Sequence, residues 1–182
     1  MSQVELSYEE LEQDIIAEIQ KYMRGYLATS DGKSVYVRSM MIVSDGLTIW
    51  FLTDRKTRKC RHIEVNPSVA VAIGESLHFE GLAKLKAHPL DEENSDFIKA
   101  FQNQHSEIYE RSLRPNHVLQ RPDTIVIEVT PRRIALNIWT PQFDKEGVMP
   151  YIDILNVAKG EAHRISGITD VTEFYTTPAY LV

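Results

Sequence analysis

The period of the hydrophobic positions changes along the chain, and the changes mark out its elements. Leu11, Ile15, Ile16, Ile19, Tyr22 and Met23 recur at helical spacing. Ser7-Tyr8-Glu9-Glu10 precedes them and reads as a capping box, in which Ser7 accepts from first-turn amides while Glu10 reaches back. An amphipathic helix over residues 8–24 is expected, ending before Gly25. From Gly25 the pattern becomes strand-like. Tyr26 to Thr29 reads as a short strand, Ser30-Asp31-Gly32-Lys33 as its turn, and Ser34 to Val43 as the returning strand, rich in Val, Tyr, Met and Ile. Ser44-Asp45-Gly46 closes a second hairpin, because Asp-Gly suits a turn that needs positive φ. Leu47 to Thr53 is mostly apolar and reads as a strand buried on both faces.

Arg55 to Val65 follows as a short helix stopped by Asn66-Pro67, since the residue before proline disfavours the helical region. Ser68 to Gly74 and Leu77 to Ala87 read as another hairpin. Asp91 to about Glu110 reads as one helix with Phe97, Ile98 and Phe101 on one side. Thr124 to Thr130 and Arg132 to Trp139 read as two late strands around Pro131, and the chain from Pro141 onward as irregular. Short hairpin connections favour antiparallel pairing, and six or more such strands favour a barrel or sandwich over a parallel sheet. The expected fold is mainly β with peripheral helices: one domain over residues 1–182, with a barrel over about 25–140 and an irregular tail over 141–182.

Composition narrows the class. A chain of 182 residues, 43% apolar and 25% charged, has the balance of a globular domain able to bury a sizeable core. The net charge of -6 removes any bulk attraction to nucleic acid or to an acidic membrane. Cys60 is the one cysteine, so no disulfide forms within the chain, which fits a reducing compartment. No apolar run is long enough to span a bilayer, and the N-terminus opens polar and acidic, unlike a secretory signal. A soluble, cytoplasmic protein is expected.

Against that acidic background one stretch stands out. Thr53-Asp54-Arg55-Lys56-Thr57-Arg58-Lys59-Cys60-Arg61 packs five cations into nine residues at the start of a predicted helix. A helix N-terminus is already partly positive, so each cation there costs on the order of 0.3–1 kcal/mol, and a bound anion reverses the sign. Free helix amides, the Thr57 hydroxyl and the heads of Arg58 and Lys59 can converge on a phosphate. A solvated basic surface is the alternative reading. Arg38 is the second clue, a guanidinium inside the apolar strand Val35 to Val43; it needs a partner or an exit to water. A strand-edge arginine paired with a carboxylate satisfies the same need.

Other motifs fail. Gly32-Lys33-Ser34 resembles the end of a P-loop, but the required upstream glycine falls at Leu27. His62, His78, His88, His105, His117 and His163 show no metal-ligand spacing, so no metal site is expected. Cys60 reads as a small core-facing group, and Trp50 and Trp139 as packing residues in strands.

Arg38-Ser39-Met40-Met41, Asp45-Gly46, Phe51-Leu52-Thr53, Thr57-Arg58-Lys59 and Ile63-Glu64-Val65-Asn66-Pro67 together resemble the pyridoxamine 5'-phosphate oxidase-like FMN-binding split-barrel family, in order and spacing, from Tyr22 to about Lys86. The resemblance implies an antiparallel split β-barrel, a homodimer, and FMN in the groove between subunits. By position it implies that Arg38, Thr57, Arg58 and Lys59 hold the FMN phosphate. Ser39, Met40 and Met41 would run beside the isoalloxazine, and Leu52 and Thr53 would flank the ribityl chain and phosphate. The strand from Leu77 to Lys86 and the region of Trp139 are the candidate contacts from the partner subunit. True pyridoxamine-phosphate oxidases carry a C-terminal Arg-rich segment with a Trp and a closing Arg-Leu-x-Pro. Glu173-Phe174-Tyr175-Thr176-Thr177-Pro178-Ala179-Tyr180-Leu181-Val182 does not match it, so the likeness is to the general-stress or uncharacterised branch. The implied activity is flavin-dependent redox chemistry with a small-molecule electron donor or acceptor. A non-catalytic flavin-binding protein, or a haem- or F420-binding one, is the alternative.

Overall fold

A computed structural model describes residues 2–138 and 151–166. Its first strand, β1 (Ser2–Glu5), carries no signal in the apolar pattern and pairs antiparallel with the last, β10 (Glu161–Ser166). Helix α1 (Tyr8–Ile19) starts as the sequence requires, with the Ser7 hydroxyl accepting from the Glu10 amide at 3.2 Å. It ends one turn before the expected boundary, and Leu11, Ile15 and Ile19 form its buried stripe.

Strands β2 (Arg24–Ser30) and β3 (Val35–Met41) form the first hairpin. After Ile42 the chain continues as β4 (Val43–Asp45), which pairs with β5 (Thr48–Asp54). Helix α2 (Arg58–Val65) follows, then the hairpin of β6 (Ser68–Ile73) and β7 (Leu77–Leu85). In β6 buried Val69, Val71 and Ile73 alternate with more exposed neighbours, the pattern of a sheet with one face on the core.

The expected helix over 91–110 is broken in two. A short 3-10 turn (Glu92–Asn94) leads into α3 (Ser95–Gln104), and α4 (Ser106–Ser112) starts anew beyond His105. The break has a partner: the His105 Nε2–H donates to the Ile42 carbonyl at 2.9 Å, tying the junction to the strand beside it. Phe97 and Phe101 of α3 pack with Val43, Trp50, Leu119 and Val126 as a second apolar cluster outside the barrel.

The two expected strands around Pro131 are one, β8 (Thr124–Ile138). Proline brings no N–H to a ladder, so a break there is the natural reading. The fold absorbs it with an irregularity in register between Glu80 and Gly81, where Gly81 faces buried Pro131. A Cβ on Gly81 would stand 2.5 Å from the Thr130 carbonyl oxygen, so the close approach needs a glycine. One edge of β8 pairs with β7. The other pairs first with β5, up to Val129, and from Ile134 with β9 (Tyr151–Asn156). Part of the tail expected to be irregular therefore belongs to the sheet, as β9 and β10. Trp139, residues 141–150 and residues 167–182 lie outside the described residues.

The strand order is β1-β10-β9-β8-β7-β6-β2-β3, with β5 and β4 branching from β8, and all pairings are antiparallel. Leu27, Ile49, Phe51, Val71, Phe79 and Ile127 fill the interior, and α1 covers it from one side. Strand β5 is buried on both faces, as its apolar run requires: Ile49 and Phe51 point into this core, Trp50 into the α3 cluster. The sheet curls without closing. The β4–β5 ladder covers Val43–Trp50 to Asp45–Thr48, while β3 is laddered only to β2. Beyond β4 the barrel is split between β3 and β5. Among the described residues no helix is long and apolar enough to cross a membrane.

Candidate functional site

The cations of the sequence reading gather at this split. Arg38 comes from β3, Thr53 from the end of β5, and Thr57, Arg58 and Lys59 from the start of α2. Arg38 and Lys59 are held by neutral partners. Arg38 Nη1 donates to the Thr29 hydroxyl at 2.8 Å and to the Leu27 carbonyl at 3.1 Å. Lys59 Nζ donates to the Thr53 hydroxyl at 2.8 Å, and that hydroxyl stands 3.3 Å from the one on Thr57. Thr57 occupies the N-cap of α2 but does not cap it with its side chain; its hydroxyl lies 3.3 Å from the Cys60 thiol instead. Cys60 itself is buried, as expected, and burial raises its pKa.

Partial burial without a carboxylate is what sets Arg38 and Lys59 apart. Among the described residues, the other partly buried cations find carboxylates, Lys86 between Glu93 and Glu128, Arg133 on Glu80 and Arg164 on Asp153, whereas exposed ones such as Arg24, Lys33, Arg55 and Lys84 have none. Arg38, Arg58 and Lys59 make no ion pair with any described residue, in a chain with 26 acidic side chains against 20 basic ones. Burial shows in the titration of Arg38 and Lys59. Burial, and then the charge of Arg58, lower the pKa of Arg38. Burial, with the charge of Arg38 adding to it, lowers that of Lys59. Arg58 lies over the Tyr36 ring, 4.0 Å from its centroid. The site thus holds three desolvated or stacked cations, two hydroxyls and a helix N-terminus with no acidic residue in its first turn. Such a set stabilises a multivalent oxyanion such as a phosphate monoester.

The remaining sequence candidates fall nearby but point elsewhere. Ser39 lies on the exposed face and accepts from Arg24 Nε at 3.0 Å. Met40 packs on the barrel core, and Met41 and Leu52 on the α3 cluster. Their main chain borders the split, and the edge of β3 away from β2 is unladdered. Sequence reasoning missed Thr29, the partner of Arg38, and Tyr36, the plate under Arg58. A pairing argument within the β2–β3 hairpin could have found Thr29, two residues beyond Leu27 and so on the same face. Among the described residues no group of three His, Cys, Asp or Glu side chains is placed to hold a metal ion.

The fold defines the class: an antiparallel split β-barrel with a cluster of cations at its opening. The family model described as pyridoxamine 5'-phosphate oxidase matches residues 11–137, and the chain belongs to that family. Among solved structures it is similar to general stress protein 26 of Bacillus anthracis, with 27% identity and a TM-score of 0.54 over 69% of this chain and 92% of that one. A pyridoxamine 5'-phosphate oxidase-related, FMN-binding protein of Nostoc punctiforme shares 13% identity and a TM-score of 0.55 over 92% of this chain and 99% of that one. The haem storage protein HutZ of Vibrio cholerae shares 22% identity and a TM-score of 0.53 over 66% and 89%. The last two likenesses are of fold. No curated protein matches the sequence.

Proposed function

We propose that this chain is an FMN-binding flavoprotein acting as a flavin-dependent oxidoreductase, with the FMN phosphate held by Arg38, Thr57, Arg58 and Lys59. The observation that carries the reading is the convergence of Arg38 and Lys59, partly buried with no carboxylate partner, with Arg58 beside them at a helix start. FMN supplies hydride or single-electron transfer when bound. The chain's part is to bind and orient. Arg38 and Lys59, preset by the Thr29 and Thr53 hydroxyls, offer N–H donors to phosphate oxygens. Thr53 and Leu52 border the ribityl chain, and the free main-chain edge of β3 at Ser39 to Met41 offers N–H and C=O groups to the polar rim of the ring.

A ring of that size needs a second wall, and we infer a homodimer that supplies it. The outer face of β2, β3 and β7 presents Tyr26, Val35, Val37 and Leu82; Val35 is 68% and Val37 63% exposed. An uncovered apolar face beside an unpaired edge strand is a liability unless a partner covers it. The family match, with the fold likeness to the FMN-binding protein of Nostoc punctiforme, supports the fold that would carry the cofactor.

The test is the visible spectrum of the purified protein, with the released chromophore identified by mass. Flavin bands and the FMN mass are expected. A colourless protein that takes up no added FMN overturns the reading, and a deazaflavin mass or a Soret band on haem titration replaces the cofactor.

A further inference from the structure

Thr29 and His62 are buried polar residues, 2% and 4% exposed, one on β2 and one on α2. They stand in a line that starts at Arg38. Arg38 Nη1 donates to Thr29 Oγ1 at 2.8 Å, Thr29 Oγ1 is 3.3 Å from His62 Nδ1, and His62 Nε2 is 3.8 Å from Asp31 Oδ2. Each end of the line is fixed in its role. A guanidinium has donors and no acceptor, and an ionised carboxylate accepts only. Asp31 is kept ionised by the turn it builds. Its Oδ1 accepts the backbone N–H groups of Ser34 and Lys33 at 2.8 and 3.0 Å, and these bonds bring its pKa down to about 2. Its other oxygen faces the imidazole.

Thr29 Oγ1 receives a hydrogen from Arg38 and can give its own to His62 Nδ1. The imidazole proton then sits on Nε2, toward Asp31. The ring cannot turn freely, because it packs edge-on to Tyr36 with centroids 5.6 Å apart. We propose that Thr29 and His62 are positioning residues for Arg38: the chain Asp31–His62–Thr29 locks the hydroxyl that aims the guanidinium into the oxyanion cradle. This rests on the reading that Arg38 holds a phosphate. In that frame the chain replaces a freely rotating hydroxyl by one with a fixed acceptor direction, and so presets a long side chain before the anion arrives. Presetting one such side chain corresponds to about two- to tenfold in affinity.

The experiment compares FMN with riboflavin, which lacks the phosphate, by quenching of flavin fluorescence. Thr29→Val keeps the side-chain shape and removes the hydroxyl. It is expected to weaken FMN about two- to tenfold, to leave riboflavin unchanged, and to be rescued by Thr29→Ser; His62→Phe should behave as Thr29→Val. A folding defect would weaken both flavins together. A wild-type protein that binds FMN, with a Thr29→Val variant whose FMN-to-riboflavin ratio is unchanged, overturns the proposal. A second measurement needs no flavin. Imidazole 15N–1H correlation spectra at mildly alkaline pH should show His62 protonated at Nε2 and bare at Nδ1, with the preference lost in Arg38→Met. A wild-type Nδ1–H overturns the chain. A wild-type protein that binds no FMN but shows the Nε2–H form overturns the cofactor reading alone.

Discussion

Lys59 carries the argument at the scale of single residues. Its ammonium is drawn out of water onto a threonine hydroxyl, and Arg38 adds a second cation nearby. Hydrogen bonds to charged groups contribute about 1.5–3 kcal/mol each. Arg58→Ala combined with Lys59→Ala should therefore weaken FMN by about a hundredfold or more, leaving the melting temperature near that of the wild type. Fluorescence titration with FMN checks it, and unchanged affinity removes the phosphate assignment. Asp31 gives a pH signature. Its folded pKa, about 2, lies below the ordinary carboxylate value of 3.8 because backbone N–H groups of Ser34 and Lys33 stabilise the carboxylate. A depressed carboxylate stabilises the fold fully above its unfolded pKa and loses that contribution as pH falls through the folded value. The gap in urea midpoint between wild type and Asp31→Asn should be open at neutral pH and close between about pH 4 and pH 2. Residue chemistry was legible in the sequence for Arg58 and Lys59, which crowd a helix start in plain view. It was hidden for His62, whose partners Thr29 and Asp31 come from the neighbouring hairpin.

Among the elements, β5 and β8 behave oppositely with respect to sequence. The unbroken apolar run of β5 already requires burial on both faces, and Phe51 and Trp50 fill two different cores. Strand β8 hides its continuity behind Pro131, since the tolerance of that proline comes from Gly81 on another strand. Gly81→Ala tests the pairing. Its new methyl would meet the Thr130 carbonyl oxygen at 2.5 Å and the Pro131 Cα at 3.1 Å, both main chain. Overpacking of this kind costs about 1–3 kcal/mol, and urea unfolding should show it as a lower midpoint. The α3–α4 break was illegible for a similar reason: the periodicity runs past His105, and only the carbonyl of Ile42 stops the helix there.

For the whole molecule, the open question is what lies against the outer face of β2, β3 and β7. The proposed dimer predicts that Val35→Lys with Val37→Glu shifts light scattering from a dimer mass to a monomer mass and weakens FMN in parallel. A wild-type monomer would remove both the second wall and the pose that needs it. The sequence by itself determined the local devices: the Ser7 cap, the β2–β3 and β6–β7 hairpins, the two-faced burial of β5, and the cation run ahead of α2. These follow from side chains within a few positions of one another, where spacing alone dictates the outcome. Only the tertiary structure decided that β3 and β5 part to open the barrel, that β9 and β10 extend the sheet, and that the charge of Arg38 comes close enough to lower the pKa of Lys59. Those outcomes depend on strands distant in sequence competing for the same edges of β8 and on charges desolvated by packing, and neither leaves a trace in the local pattern.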